Sequence, residues 1–173
     1  KDYTLLLERE KAETSQQLLK TIAFQRNLIE SSMDGIVGVD ERDIVVIYNR
    51  RMEELIGYPR DDVLRKMTFP QLFPPVEAAR FKADLKGDSA GGKHTLFLYE
   101  TVLKGNLGRE IPVQVSAVTL MDEGRESGVV GFFRDLRAIR KLEREITDQA
   151  RILHQDKMMS LGRLAASVVH EIN

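Results

Sequence analysis

Hydrophobic and polar positions follow three different rhythms along this chain, and the changes of rhythm divide it. Residues 1–30 contain no Gly or Pro, are dense in Leu, Glu, Lys and Gln, and place Leu7, Leu18, Ile22, Gln25 and Ile29 at spacings that suit one helical face. Ser31, Ser32 and Asp34-Gly35 end that helix. Its thin apolar stripe fits two arrangements, packing on its own domain or pairing with a second copy of itself. From Gly35 the period shortens. Ile36 to Val39 reads as a strand, Asp40 to Asp43 as a polar turn and Ile44 to Tyr48 as the hairpin partner. Asn49 is placed to cap a short helix with Met52, Leu55 and Ile56 as its buried face, and Gly57 closes it. Pro59 to Lys66 gives another helical turn or two. Phe69 to Pro75 holds three prolines and is expected to be irregular. Val76 to Leu85 reads as a helix and Lys86 to Lys93 as a loop.

The following stretch is strand-like. His94 to Leu103 is rich in β-formers, and Gly105 and Gly108 mark a hairpin turn between Lys104 and Arg109. Ile111, Val113, Val115 and Ala117 alternate with Pro112, Gln114 and Ser116, the period of a half-buried strand. Asp122 to Gly128 is a predicted turn, and Val129 to Arg134 the last strand. Two strands, several short helices and three more strands, with no long helix between strand neighbours, predict an α+β fold. Its core is a five-stranded antiparallel sheet with short helices on one face, flanked by the N-terminal helix and a long C-terminal one.

That last helix occupies residues 138–173, which hold one glycine and no proline. Ile139, Leu142, Ile146 and Leu153 fit one heptad seam; Met158, Leu161, Ala165, Val168 and Ile172 fit a second. The two do not join in phase, so a change of winding or packing is expected between about residues 147 and 157. Homodimerisation along these seams is the expectation.

Composition narrows the function classes. Lys plus Arg is 26 against 27 for Asp plus Glu, a net charge of −1 that offers no basic face for nucleic acid. With 42% hydrophobic residues the chain can fill a core, yet no apolar run approaches the ~20 residues of a membrane span. Zero cysteines exclude disulfides, thiolate metal sites and cysteinyl adducts, and suit a cytoplasmic setting. The chain starts without Met and stops inside a helical pattern, which reads as a piece of a longer parent, one that could itself be membrane-anchored.

Spacing singles out His170. At about 100° per residue it stands about 170° from the centre of the Met158–Ile172 stripe, facing away from a partner helix. Ala166 and Ser167, one turn earlier, leave it reachable by a large donor. Taken alone, an exposed His on a helix is ordinarily a surface residue, and the adjacent carboxylate of Glu171 could orient its ring. Other signals fall away. Gly105-Asn106-Leu107-Gly108 precedes no helix, so it is no phosphate cradle. His170-Glu171 lacks the second His of a zinc-protease motif, and no metal site is expected. His94, in a Gly-rich loop, reads as an ordinary surface residue and His154 as a solvated helix residue.

Two families are resembled. Leu28…Asp34-Gly35-Ile36…Asp40, Ile47-Tyr48-Asn49-Arg50…Glu54-Leu55…Gly57-Tyr58, Gly108-Arg109-Glu110-Ile111-Pro112-Val113, Gly131 and the closing Arg134-Asp135-Leu136-Arg137 resemble, in order and spacing, a PAS domain. The closing residues depart from the usual Asp-Ile-Thr. Met158-Met159-Ser160-Leu161-Gly162-Arg163-Leu164-Ala165-Ala166…Val169-His170-Glu171-Ile172-Asn173 resembles the first dimerisation helix of a histidine kinase. The resemblance implies an N-terminal helix at 1–30, a PAS sensory domain at 31–137, a coiled-coil connector at 138–157 and the start of the phosphoacceptor helix at 158–173. It implies His170 as phosphoacceptor with Glu171 as orienting base, ATP and Mg²⁺ in the whole protein, and a response-regulator receiver domain as partner. It makes Asp135 and Arg137 the junction that passes signal to the outgoing helix.

A PAS cavity would be lined by Val37, Ile47, Met52, Leu55, Leu72, Phe81, Phe97, Tyr99, Val115 and Phe132, either around a small-molecule ligand or as a filled dry core. Haem is disfavoured because no His lies in residues 76–85, where haem-binding members carry one. Covalent flavin chemistry is disfavoured because no Cys exists. The alternative to a kinase is a non-catalytic PAS module for dimerisation or ligand binding that relays conformation to a different output domain.

Overall fold

The computed structural model describes residues 1–88 and 91–172; Ser89 and Ala90 of the predicted loop, and Asn173, lie outside the described residues. Two compact units are present, Lys1–Asp135 and the helix that follows from Leu136.

In the first unit α1 spans Asp2–Glu30, a run without helix breakers, and buries none of its residues. The stripe residues Leu7, Leu18 and Ile22 stay exposed, and partial burial begins at Ile29 and Glu30. A sheet of β1 (Gly35–Asp40), β2 (Val45–Tyr48), β3 (Thr95–Lys104), β4 (Glu110–Asp122) and β5 (Arg125–Asp135) has the order β2-β1-β5-β4-β3. Every pairing is antiparallel, as the alternation predicts. First and last strands are neighbours, Gly35 standing opposite Phe133, so the chain enters and leaves the sheet side by side. The helices α2 (Arg50–Ile56), α3 (Arg60–Val63) and α4 (Pro75–Lys86) lie between β2 and β3 in sequence and supply the other wall of the core. Gly57 ends α2 in the left-handed conformation at φ 85°, which glycine adopts without a Cβ clash. The second unit is α5, Arg137–Ile172, unbroken over 36 residues. No helix among the described residues is long and apolar enough to cross a membrane.

Several expectations need correction. Phe69 to Pro75 is not irregular throughout. Phe69–Leu72 forms a 3-10 turn, with Pro70 where no backbone N–H is needed and a capping box between Thr68 and Gln71. The predicted turn from Asp122 to Gly128 contracts to Glu123-Gly124, at φ 48° and 76°, because Arg125 to Ser127 continue β5 as an exposed hairpin arm. Three of the ten predicted lining residues, Ile47, Phe97 and Phe132, face away from the core. Ile47 is turned outward by an extra residue, Val46, where β1 and β2 shift register. A bulge between Leu96 and Tyr99, with Leu98 at φ 49°, does the same to Phe97, which is 66% exposed. Phe132 is 41% exposed, while its neighbour Phe133 takes the core position at 1%.

Candidate functional site

The phosphoacceptor candidate sits on α5. The helix is continuous through His170 and Glu171, and both are exposed. All nine seam residues, from Ile139 to Ile172, are exposed as well, and α5 buries none of its residues. Met158, Leu161 and Val168 each expose about half their surface, at 52%, 50% and 54%. The predicted phase change between residues 147 and 157 leaves no break in the helix. Asp135 ends β5 opposite Val113, and Arg137 opens α5.

In the first unit the space between sheet and helices is filled by aromatic rings. Phe69, Phe73 and Phe81 contact one another at centroid distances of 4.9 to 5.2 Å. Phe133 joins through Phe73 at 6.4 Å, and Tyr99 meets Phe81 edge-on at 5.7 Å. Of the predicted lining residues, Val37, Met52, Leu55, Leu72, Phe81, Tyr99 and Val115 belong to this cluster. The sequence reading missed Phe69, Phe73 and Phe133. Ile47 and Phe132 line a shallow hollow on the sheet's outer face with Leu28, Ile29, Ile36 and Val130.

Two phenols reach into polar partners from the core. Tyr48 donates to the carbonyl of Tyr58 at 2.8 Å, and burial pushes its pKa well above the ordinary value, with Glu53 adding to the rise. Tyr99 donates to Asp84 Oδ2 at 2.6 Å, and burial followed by that hydrogen bond raises it to about 12. The guanidinium of Arg80 lies 5.4 Å above its ring. In the unfolded chain both phenols ionise near pH 10. Above that pH the unfolded state gives up protons that the folded state keeps, so stability is intact below pH 10 and falls as pH rises toward about 12. Urea midpoints measured at pH 8 and pH 11 should show the drop, and Tyr99→Phe should make it shallower; an unchanged drop in that variant would remove Tyr99 from the cause.

Asn49 is fully buried and makes four side-chain hydrogen bonds. Its Oδ1 accepts from Ile36 N at 2.8 Å and Met52 N at 3.0 Å, and its Nδ2 donates to the carbonyls of Ile29 at 2.8 Å and Asp34 at 3.1 Å. One side chain thus joins the end of α1, the start of β1 and the first turn of α2. Around it, Glu30 accepts from Arg50 N and pairs with Arg60 at 2.7 Å. Asp34 receives both prongs of Arg134 at 3.2 and 3.4 Å. The sequence pattern shows Asn49 only as a helix cap; the three long-range bonds depend on where α1 ends.

His94 is half-buried rather than fully solvated. Its Nδ1 lies 3.6 Å from Glu126 and makes no hydrogen bond among the described residues. Among those residues no group of three or more His, Asp or Glu side chains is arranged to hold a metal ion.

Comparison with known proteins agrees with this architecture. The profile of the family described as the PAS fold matches residues 23–136. The chain is 20% identical over 151 residues to the sensor protein FixL of Bradyrhizobium diazoefficiens, covering 86% of the chain and 30% of that protein. It is 24% identical over 161 residues to the signal transduction histidine-protein kinase AtoS of Escherichia coli, covering 91% of the chain and 24% of that protein. Among solved structures, the PAS domain of an HTR-like protein from Haloarcula marismortui superposes with a TM-score of 0.57 at 22% identity, covering 72% of this chain and 98% of that one. The chain therefore spans less than a third of the length of these curated relatives.

Proposed function

Because the chain belongs to the PAS-fold family, we propose that it is the sensory and phosphoacceptor portion of a two-component sensor histidine kinase. The observation that carries the reading is an unbroken helix after the PAS domain that bears His170-Glu171 opposite an apolar stripe. Likeness to two proteins named as a sensor and a histidine-protein kinase supports it.

The chemistry asked of these residues is modest. One ring nitrogen of His170 attacks the γ-phosphorus of ATP, the N–P bond forms as the bond to the bridging oxygen breaks, and ADP leaves. Glu171 takes the proton from the other nitrogen. A receiver-domain aspartate then accepts the phosphoryl group. Positioning and charge stabilisation dominate such a transfer, and the parts that hold nucleotide and Mg²⁺ belong to the parent protein. Supplying the chain with its parent's ATP-binding domain and ATP labelled at the γ-phosphate should give an acid-labile phosphochain. Absence of label would favour the non-catalytic relay module.

Dimerisation follows from energetics. An isolated helix of 36 residues that buries nothing has only its intrinsic propensity to hold it. Covering the seam with a second copy removes its Leu, Ile, Val and Met side chains from water at roughly 25 cal/mol per Å². The chain lacks cysteine, so a single one reports cleanly. Met158→Cys or Leu161→Cys should cross-link two copies on mild oxidation, whereas Arg163→Cys, off the stripe, should not. In single-cysteine variants across 146–161, two alternative pairing patterns are expected under different signalling conditions; one invariant pattern would leave the connector without a switching role.

A further inference from the structure

The rings that fill the interior of the first unit leave a different opening, on its helical side. It is a groove of about 670 Å³ between the 3-10 turn, one face of α4 from Pro75 to Lys82 and the end of β3. That volume is in the range of small-molecule sites. Phe73, 2% exposed, forms its floor with Met67 and Ala78. The charged side chains that line it are both lysines, Lys82 and Lys104, and no carboxylate lines it among the described residues. The ammonium of Lys82 is held by Asp43. Lys104 stands opposite Glu110 in the β3–β4 ladder and makes no ion pair among the described residues. Tyr58, on the same wall, spends its hydroxyl proton on the carbonyl of Gly105 at 3.2 Å and so offers the groove mainly its ring.

We propose that this groove binds a small amphipathic carboxylate, its apolar body on Phe73 and Met67 and its charge at Lys104. With Lys82 already held by Asp43, Lys104 is the cation left to a ligand, and a carboxylate placed there at the open rim gains an ion pair while staying in contact with water, which a neutral or cationic ligand of the same shape cannot do. The site is separate from the filled interior that a sequence reading makes the ligand cavity. It stands without the kinase proposal, since binding is read with no phosphoryl donor present.

The test titrates the isotope-labelled chain with sodium octanoate and, separately, with 1-octanol, following amide shifts by NMR. Octanoate should give saturable shifts at Tyr58, Phe73 and Ala79, and octanol of equal length should bind about threefold more weakly. Lys104→Gln, at an exposed strand end, should weaken octanoate about threefold and leave octanol unchanged. Ala79→Leu, also exposed, should narrow the groove and weaken both. Equal affinity for acid and alcohol, an unaltered octanoate affinity in either variant, or shifts centred on Val113 and Val115 of the inner sheet face would each overturn the proposal. So would the absence of saturation at millimolar octanoate, or shifts at the same amides that follow protein concentration alone, which would give the groove to a second copy.

Discussion

Glutamine at position 170 should leave the chain unlabelled by γ-phosphate while changing neither its helix content nor its dimerisation. The side chain is exposed on α5 and buries no contact that its loss would expose. Gln forms helices at least as well as His, so the backbone is not the cause of any loss. What disappears is the nucleophile: an amide nitrogen has no lone pair free to attack phosphorus. Glu171→Gln keeps a hydrogen-bonding group beside the ring but removes the proton acceptor, and labelling should fall about 100-fold rather than vanish. The chain has three histidines, so His94→Gln and His154→Gln complete the set, and both should label like the parent. Label that persists in His170→Gln, or that vanishes in His154→Gln, would move the phosphoacceptor away from the residue on which the kinase proposal rests.

How far such a site can be read from sequence depends on what fixes each residue's direction. In β4 nothing interrupts the pleat, and Ile111, Val113, Val115 and Ala117, at 0 to 3% exposed, lie where alternation puts them. In β2 and β3 the alternation fails at one residue each, Val46 and the bulge at Leu98, and every side chain beyond the irregularity changes face. Neither bulged segment contains a glycine to announce it, though Gly38 stands on the facing strand opposite Ile47. Phe132 and Phe133 present a different difficulty. Both suit a strand, and what decides between them is the cross-strand register: Phe133 stands directly opposite buried Val115, while Phe132 faces Ser116. Register is a long-range quantity that local composition does not contain.

On α5 the helix itself is legible because 36 residues hold one glycine and no proline, so an error at any one position matters little. The same helix in a single chain leaves its apolar stripe bare, which is the surface that the proposed second copy would cover. The helical groove was invisible in the sequence for the opposite reason. Its residues come from the 3-10 turn, α4, the end of β3 and the segments that join such elements, and share no period; Lys82 and Lys104 are 22 positions apart and read singly as ordinary surface lysines.

Asn49 carries the second large effect. Alanine there should cost about 3 kcal/mol of folding stability, the sum of about 1 for the lost cap of α2 and about 2 for leaving the buried Ile36 N–H without an acceptor. Both donors that Oδ1 serves, Ile36 N and Met52 N, belong to residues that are buried, so water cannot replace the lost bonds. Aspartate separates the two halves of the side chain's work. It keeps an acceptor for those N–H groups but turns a carboxylate oxygen toward the carbonyls of Ile29 and Asp34, which now receive amide protons. Asn49→Asp should therefore retain the α2 cap and still lose stability, with the loss concentrated where α1 meets the domain. Urea unfolding reads the total, and amide exchange reads its distribution. In Asn49→Asp the Ser31 amide, bonded to the Asn27 carbonyl at 2.9 Å, should exchange faster while the amides of α2 stay protected. If alanine at this position costs less than about 1 kcal/mol, the four bonds are incidental. The attachment of α1 to the sheet would then rest on Glu30–Arg60 and Asp34–Arg134, pairs exposed enough to contribute little.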